Sequence, residues 1–80
     1  MVWSYSVDDA EAVGNLLGEL CKHAGGTFPG GQTQKEVEGL PVPFMLDFAQ
    51  QLVDSDFQQS HPEAEKTLSR LRDKLVDLYE

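Results

Sequence analysis

The chain has 80 residues, of which 40% are hydrophobic and 25% charged, the composition of one small folded domain. Fourteen acidic against six basic residues give a net charge of −8, which opposes binding to nucleic acid and to anionic membranes and would attract a basic protein surface. So short a chain also leaves little room for a large active-site cavity.

Cysteine usage and the absence of long apolar runs suggest a compartment. Cys21 is the only cysteine, whereas small secreted domains normally carry several disulfides. The first residues contain no basic segment followed by an apolar run, and no stretch approaches the roughly 18 apolar residues of a membrane helix. We therefore expect a cytoplasmic protein without a signal peptide or a membrane span.

The amino-terminal residues predict an extended arm. Trp3, Tyr5 and Val7 alternate with small polar residues, a pattern typical of a short strand or of an arm laid over a core. One strand cannot form a sheet alone. An α+β alternative therefore pairs residues 2–7 with residues 33–38 in a small two-stranded ribbon.

An amphipathic helix is predicted over residues 7–24. Ser6 and Asp9 have the spacing of a capping box, and Gly25 suits the position just after a helix end. The apolar residues of the segment share one face, which we expect to be buried: Ala10, Val13, Leu16, Leu17, Leu20, Cys21 and Ala24.

Two glycines lie at the edge of this apolar face. Gly14 and Gly18 are one turn apart, and each lowers helix propensity by up to about 1 kcal/mol. One interpretation is that they admit a closely approaching partner helix. The simpler one is that they serve close packing within the chain or are merely tolerated.

A long loop follows over residues 25–43, where five glycines and three prolines exclude any long regular element. Thr33 and Glu36 have capping-box spacing and predict a single short helix, with an edge strand as the alternative. Phe28 is expected to hold the loop against the core. The sequence leaves open whether residues 26–42 are ordered.

The second long helix is predicted over residues 44–57, with Pro43 in its first turn. Its apolar residues cover more than half of its circumference, so we expect the other helices to cover it from two sides. They are Phe44, Met45, Leu46, Phe48, Ala49, Leu52, Val53 and Phe57.

The third long helix is predicted over residues 61–79, with Ser60 and Glu63 as a further capping box and Pro62 in the first turn. A narrow apolar seam with heptad spacing runs along it, formed by Ala64, Leu68, Leu71, Leu75 and Leu78. We expect this seam to close on the second helix, and coiled-coil dimerisation is the alternative. The predicted fold is thus one mainly α domain, residues 1–80, of three helices with an extended arm and a long Gly/Pro loop.

The sequence offers little for catalysis or metal binding. On a helix, Cys21 and His23 point to opposite sides and cannot form a nucleophile–base pair. Residues 54–65 place oxygen ligands at four positions of an EF-hand loop, but Gln59 replaces its required glycine. We therefore predict no enzyme activity and no cofactor, and keep a degenerate calcium site as a remote alternative.

Protein binding is the function that requires neither a catalytic pair nor a set of metal ligands, both of which the sequence lacks. We predict an acidic interaction module, an adaptor or a stoichiometric inhibitor, that binds a basic surface of a protein partner. A structural or regulatory helical homodimer is the alternative. The candidate partner-binding residues are Asp8, Glu11, Glu19, Glu36, Glu38, Asp47 and Asp54.

Overall fold

The computed structural model describes residues 2–79, which form five α-helices and no β-strand. In chain order these are α1 (Val7–His23), α2 (Gln34–Glu38), α3 (Val42–Asp54), α4 (Phe57–Ser60) and α5 (Glu65–Leu78), with a 3₁₀ turn at Pro62–Ala64 before α5. The predicted mainly α fold is confirmed. None of the helices within this range has both the length and the apolar character needed to cross a bilayer.

The three long helices pack side by side, with α1 and α3 parallel to each other and α5 antiparallel to them. α1 and α5 are antiparallel, because Asp9 near the start of α1 contacts Lys74 near the end of α5, and Glu19 contacts Thr67 at the opposite ends. The first turns of α1 and α3 line a common groove, so these two helices run in the same direction. One end of the bundle, here called the upper end, therefore holds the starts of α1 and α3 and the end of α5.

A single apolar core lies between these helices. The predicted inner face of α1 and the whole predicted seam of α5 belong to it, and the seam is closed within the chain. Phe28 is 2% exposed and its ring meets Phe48 edge to face at 5.1 Å, so it does hold the loop against α3. The buried residues of α3 are Met45, Leu46, Ala49, Leu52 and Val53.

The ends of α1 follow the sequence signals. Ser6 and Asp9 form the full capping box, in which each side chain accepts a hydrogen bond from the other residue's backbone N–H. At the other end, Gly25 has φ +84°, and the Gly26 N–H donates to the Cys21 carbonyl at 2.9 Å, which ends the helix in a Schellman motif.

The two-stranded ribbon of the α+β alternative does not form. Residues 34–38 are helical instead, because the Thr33 hydroxyl accepts a hydrogen bond from the Glu36 N–H and starts α2. The arm is extended, as predicted, but Trp3 pairs with Tyr79 at the end of α5 rather than with residues 33–38.

The second long helix differs from its prediction at both ends. It begins at Val42, one residue before Pro43, and ends at Asp54 rather than at Phe57. The early end has a local cause, because the Ser55 hydroxyl donates to the Leu52 carbonyl at 2.6 Å and the Ser55 backbone is extended.

The prediction that Phe44 is buried was wrong. Its side chain is 61% exposed, because it lies on the outward face of α3 that neither α1 nor α5 reaches. Phe48, one turn later, is half-buried beside the loop. Helix α3 buries one face against α1 and α5 but is covered less completely than its composition suggested.

The third long helix also begins later than predicted. Ser60 is the last residue of α4, so it cannot cap α5, and the predicted capping box with Glu63 is absent. The intervening residues form the 3₁₀ turn, and α5 begins at Glu65. The prediction placed this start four residues too early because the short helix α4 was not anticipated.

Candidate functional site

All seven candidate carboxylates are exposed to solvent. Within residues 2–79 the structure contains one ion pair, between Asp9 and Lys74, and neither residue was a candidate. The candidates therefore carry negative charge that no Lys or Arg of the described residues neutralises by direct contact.

The structure brings two of the candidates together at one groove. Glu11 of α1 and Glu38 at the end of α2 both line a groove of about 340 Å³ that we call the acid-rimmed groove. Asn15 is its third polar lining residue. The remaining lining is apolar or glycine and comes from α1, from the segment after α2 and from the start of α3: Val7, Ala10, Gly14, Leu40, Val42 and Met45. No Lys or Arg is among these lining residues.

A close approach between α1 and α2 positions Glu38. Gly18 has no Cβ, and a Cβ built there would lie 2.6 Å from Nε2 of Gln34, so only glycine allows the amide to pack here undisturbed. The same Nε2 donates a hydrogen bond to the Glu38 carboxylate at 2.9 Å. The carboxylate is therefore held at the groove by an uncharged amide.

The two glycines of α1 thus differ in role. Gly18 serves the internal contact with α2, as the simpler sequence interpretation expected. A Cβ at Gly14 would meet nothing within 4 Å, because Gly14 faces the open groove. The sequence did not distinguish them, since both are glycines at the edge of the same apolar face of α1.

The other candidates are spread over the molecule. Asp47 accepts a hydrogen bond from the Trp3 indole N–H at 2.8 Å and lies under the arm. Asp54 accepts one from Gln50, and Glu19 lies against Thr67 of α5. None of these three residues lines the acid-rimmed groove.

The last two candidates, Asp8 on α1 and Glu36 on α2, lie on the helices that form the groove but do not line it. Glu36 accepts a hydrogen bond from the Thr33 hydroxyl at 3.2 Å and so helps to start α2. Asp8 is exposed one turn before Glu11 on α1 and has no side-chain hydrogen bond among the described residues.

The Asp9–Lys74 pair is the strongest electrostatic contact of the described chain. Lys74 Nζ donates to Asp9 Oδ1 at 2.6 Å, and with the Ser6 backbone N–H it lowers the pKa of Asp9 from 3.8 to about 2. The Asp9 carboxylate in turn raises the pKa of Lys74. This contact ties the start of α1 to the end of α5, so its role is structural.

Exposed apolar side chains gather toward the upper end of the bundle, a feature that sequence reasoning missed. Val7 is 83% exposed and Leu40 39% exposed, and both line the acid-rimmed groove. The other large exposed apolar residues of the described range lie in the arm, at the start of α3 or near the end of α5: Val2, Tyr5, Phe44, Val76 and Tyr79. The sequence contains little indication of this cluster, because a single Leu40 between Gly39 and Pro41 does not show which residues of α1 it faces in the fold.

Two other cavities have fewer carboxylates than the acid-rimmed groove. A cavity of about 430 Å³ lies beside the arm, but its one carboxylate, Asp47, already accepts the Trp3 hydrogen bond. A cavity of about 220 Å³ between the loop and α3 is lined by Pro29, Gln32, Phe48, Gln51, Leu52 and Ser55, none of which is charged.

The segment that resembled an EF-hand loop is not an open loop. Residues 57–60 form α4 and residues 62–64 form the 3₁₀ turn, and the ring of His61 stacks on Phe57 at 4.5 Å. Among the described residues, no three His, Cys, Asp or Glu side chains lie close enough together to hold a metal ion. The geometry gives the calcium alternative no support.

The chain matches no protein-family model, and no curated protein or solved structure matches it at a significant level.

Proposed function

We propose that this protein is a non-catalytic interaction module, an adaptor or a stoichiometric inhibitor, that binds a basic surface of a protein partner. The observation that carries the proposal is the state of the seven candidate carboxylates: all are exposed, and none forms an ion pair within residues 2–79. Their charge is therefore available to a partner.

Electrostatics favours this function over one that involves nucleic acid or lipid. A net charge of −8 on a chain of 80 residues repels phosphates and steers a basic surface toward the molecule. Each exposed ion pair adds only about 0 to 1 kcal/mol, so charge alone gives fast but weak association. Stable binding also needs apolar contact, which the exposed side chains near the upper end supply.

The proposal places the protein in the cytoplasm. Cys21, the only cysteine, is a free and buried thiol on the inner face of α1, where it packs as a small apolar residue. This role requires no oxidising compartment.

A helical homodimer is the second candidate, and the exposure of Phe44 favours it. The seam of α5 is buried within the chain, so a dimer would use another apolar surface, such as the face of α3 that carries Phe44. The charge of −8 on each copy opposes this association, most strongly at low salt. Sedimentation over a range of protein and salt concentrations tests it, and a dimer that strengthens at high salt would favour this candidate.

Affinity capture with charge variants tests the main proposal. The immobilised chain should retain a basic protein from lysate, and that protein should elute as salt rises. Asp8→Asn/Glu11→Gln should retain less of it, whereas Glu65→Gln/Asp73→Asn, which removes two exposed charges from α5, should retain as much as the unmodified chain. Retention that is unaffected by salt, or that both variants reduce equally, would contradict the proposal.

A further inference from the structure

We propose that the acid-rimmed groove is the docking site, and that it takes an apolar side chain of the partner whose flanking residues are Lys or Arg. The inference rests on the proposed function and makes it specific, since it names one of the molecule's surfaces and the type of segment that fits there.

The floor of the groove is apolar and already formed. Met45, at 5% exposed, is the most buried lining residue and forms the floor, while Leu40 and Val42 line the groove from the segment after α2 and the start of α3, and Ala10 lines it from α1. A volume of about 340 Å³ is near the lower end of the range for ligand sites. It suits an inserted side chain better than an entire small molecule.

The absence of a side chain at Gly14 gives the groove part of its space. A Cβ at this position would touch nothing within 4 Å, so no element of the chain itself uses the space next to Gly14. Val7, at 83% exposed, stands at the rim and would be covered by an inserted segment.

The rim selects for positive charge. Glu11 and Glu38 come from different helices, and both are exposed lining residues of the groove. The hydrogen bond from Gln34 holds Glu38 in place before binding, so less side-chain freedom is lost when a cation arrives. A Lys or Arg on either side of an apolar anchor would place its charge next to these carboxylates.

Charge complementarity decides between this occupant and others. The acid-rimmed groove has two carboxylates among its lining residues, whereas the cavity beside the arm has one, Asp47, and the cavity between the loop and α3 has none. An anionic segment would be repelled by the rim, and a second copy of this chain would bring a further −8. The basic segment is therefore the occupant that both the floor and the rim favour.

The test uses three short fluorescein-labelled peptides: one with a central Leu flanked by Lys residues, one with Ser in place of the Leu, and one with Glu in place of every Lys. Fluorescence anisotropy at low salt measures binding to the unmodified chain. The Leu/Lys peptide should bind, the Ser/Lys peptide should bind at least about tenfold more weakly, and the Leu/Glu peptide should not bind. Amide chemical shifts of Gly14, Asn15 and Leu40 should move on titration.

Chain variants localise the site. Gly14→Leu fills the groove from an open position, so it should abolish binding while the fold is retained. Glu11→Gln/Glu38→Gln should weaken binding roughly 2-fold to 30-fold, the effect of two exposed ion pairs. Glu19→Gln/Asp54→Asn removes the same charge away from the groove and should change the affinity less.

The outcomes separate this inference from the proposed function. If Gly14→Leu binds the Leu/Lys peptide as well as the unmodified chain does, the groove is not the site. Equal weakening by the two charge variants would also overturn the groove, although a salt-sensitive basic partner in the capture experiment would still support the interaction module. Self-association that competes with the peptide would assign the groove to a second copy instead.

Discussion

A matched pair of substitutions, Gly14→Ala and Gly18→Ala, tests the different roles of the two glycines. Alanine is more favourable than glycine inside a helix by about 0.5 to 1 kcal/mol. At Gly14 nothing lies within 4 Å of the added Cβ, so the whole gain should appear. For a domain of this size it corresponds to a rise in Tm of about 2 to 8 °C.

At Gly18 the same gain is opposed by a contact. The added Cβ would lie 2.6 Å from Gln34 Nε2 and 3.2 Å from Cδ, so the amide must move and its hydrogen bond to Glu38 is lost. An exposed side-chain pair of this kind contributes about 0.2 to 0.5 kcal/mol. Because close packing is lost as well, we expect a net change near zero for Gly18→Ala.

Urea unfolding followed by far-UV circular dichroism measures both effects. The variant Gly18→Ala/Gln34→Ala is the control, because removal of the amide should restore the gain that the contact cancels, and a double-mutant cycle isolates this coupling. The different roles of the two glycines are refuted if Gly14→Ala is no more stable than the unmodified chain, or if Gly18→Ala is stabilised as much as Gly14→Ala.

Three further predictions concern the core, the ion pair and the arm. Leu46 is 0% exposed, so Leu46→Ala should lower the free energy of unfolding by about 2 to 5 kcal/mol, enough to unfold most of a chain this small. Phe44 is 61% exposed, so Phe44→Ala should lower it by less than about 1 kcal/mol. Thermal melts of the two variants measure the difference. Lys74 lowers the pKa of Asp9 in the folded chain to about 2, from the ordinary value of 3.8. The ion pair therefore stabilises the fold fully at a pH above 3.8, and this stabilisation is lost as the pH falls toward 2. The stability difference between the unmodified chain and Asp9→Asn should therefore narrow over that pH range in urea titrations, and a constant difference would contradict it. Trp3→Phe keeps the ring but removes the indole donor, and should lower the free energy of unfolding by about 0.5 to 1.5 kcal/mol in the same urea assay.

Local chemistry made much of the fold predictable. The Ser6 capping box, the Gly25 stop and the buried seam of α5 each depend on residues within one or two turns of each other, so their spacing is visible in the sequence. The errors occurred where several local signals compete. Ser55 and Ser60 both lie near a helix boundary, and only the folded chain shows that Ser55 ends α3 while Ser60 belongs to α4.

The candidate site was predictable in composition but not in arrangement. The sequence identifies the exposed carboxylates, because Asp and Glu are rarely buried. It does not show that Glu11 and Glu38 meet at one groove, since that depends on how closely α2 approaches α1 at Gly18. Nor does it show that Asp47 is engaged by Trp3 from the far end of the chain.

The proposed docking at the acid-rimmed groove would make a strongly acidic domain selective as well as attractive to basic proteins. Exposed carboxylates act over about one Debye length and do not distinguish one basic surface from another. An apolar floor acts only on contact and accepts only a side chain of suitable size. In this chain the two occur together because Glu11, Glu38 and Met45 line the same groove, so the carboxylates would govern the rate of encounter and the floor the lifetime of the complex.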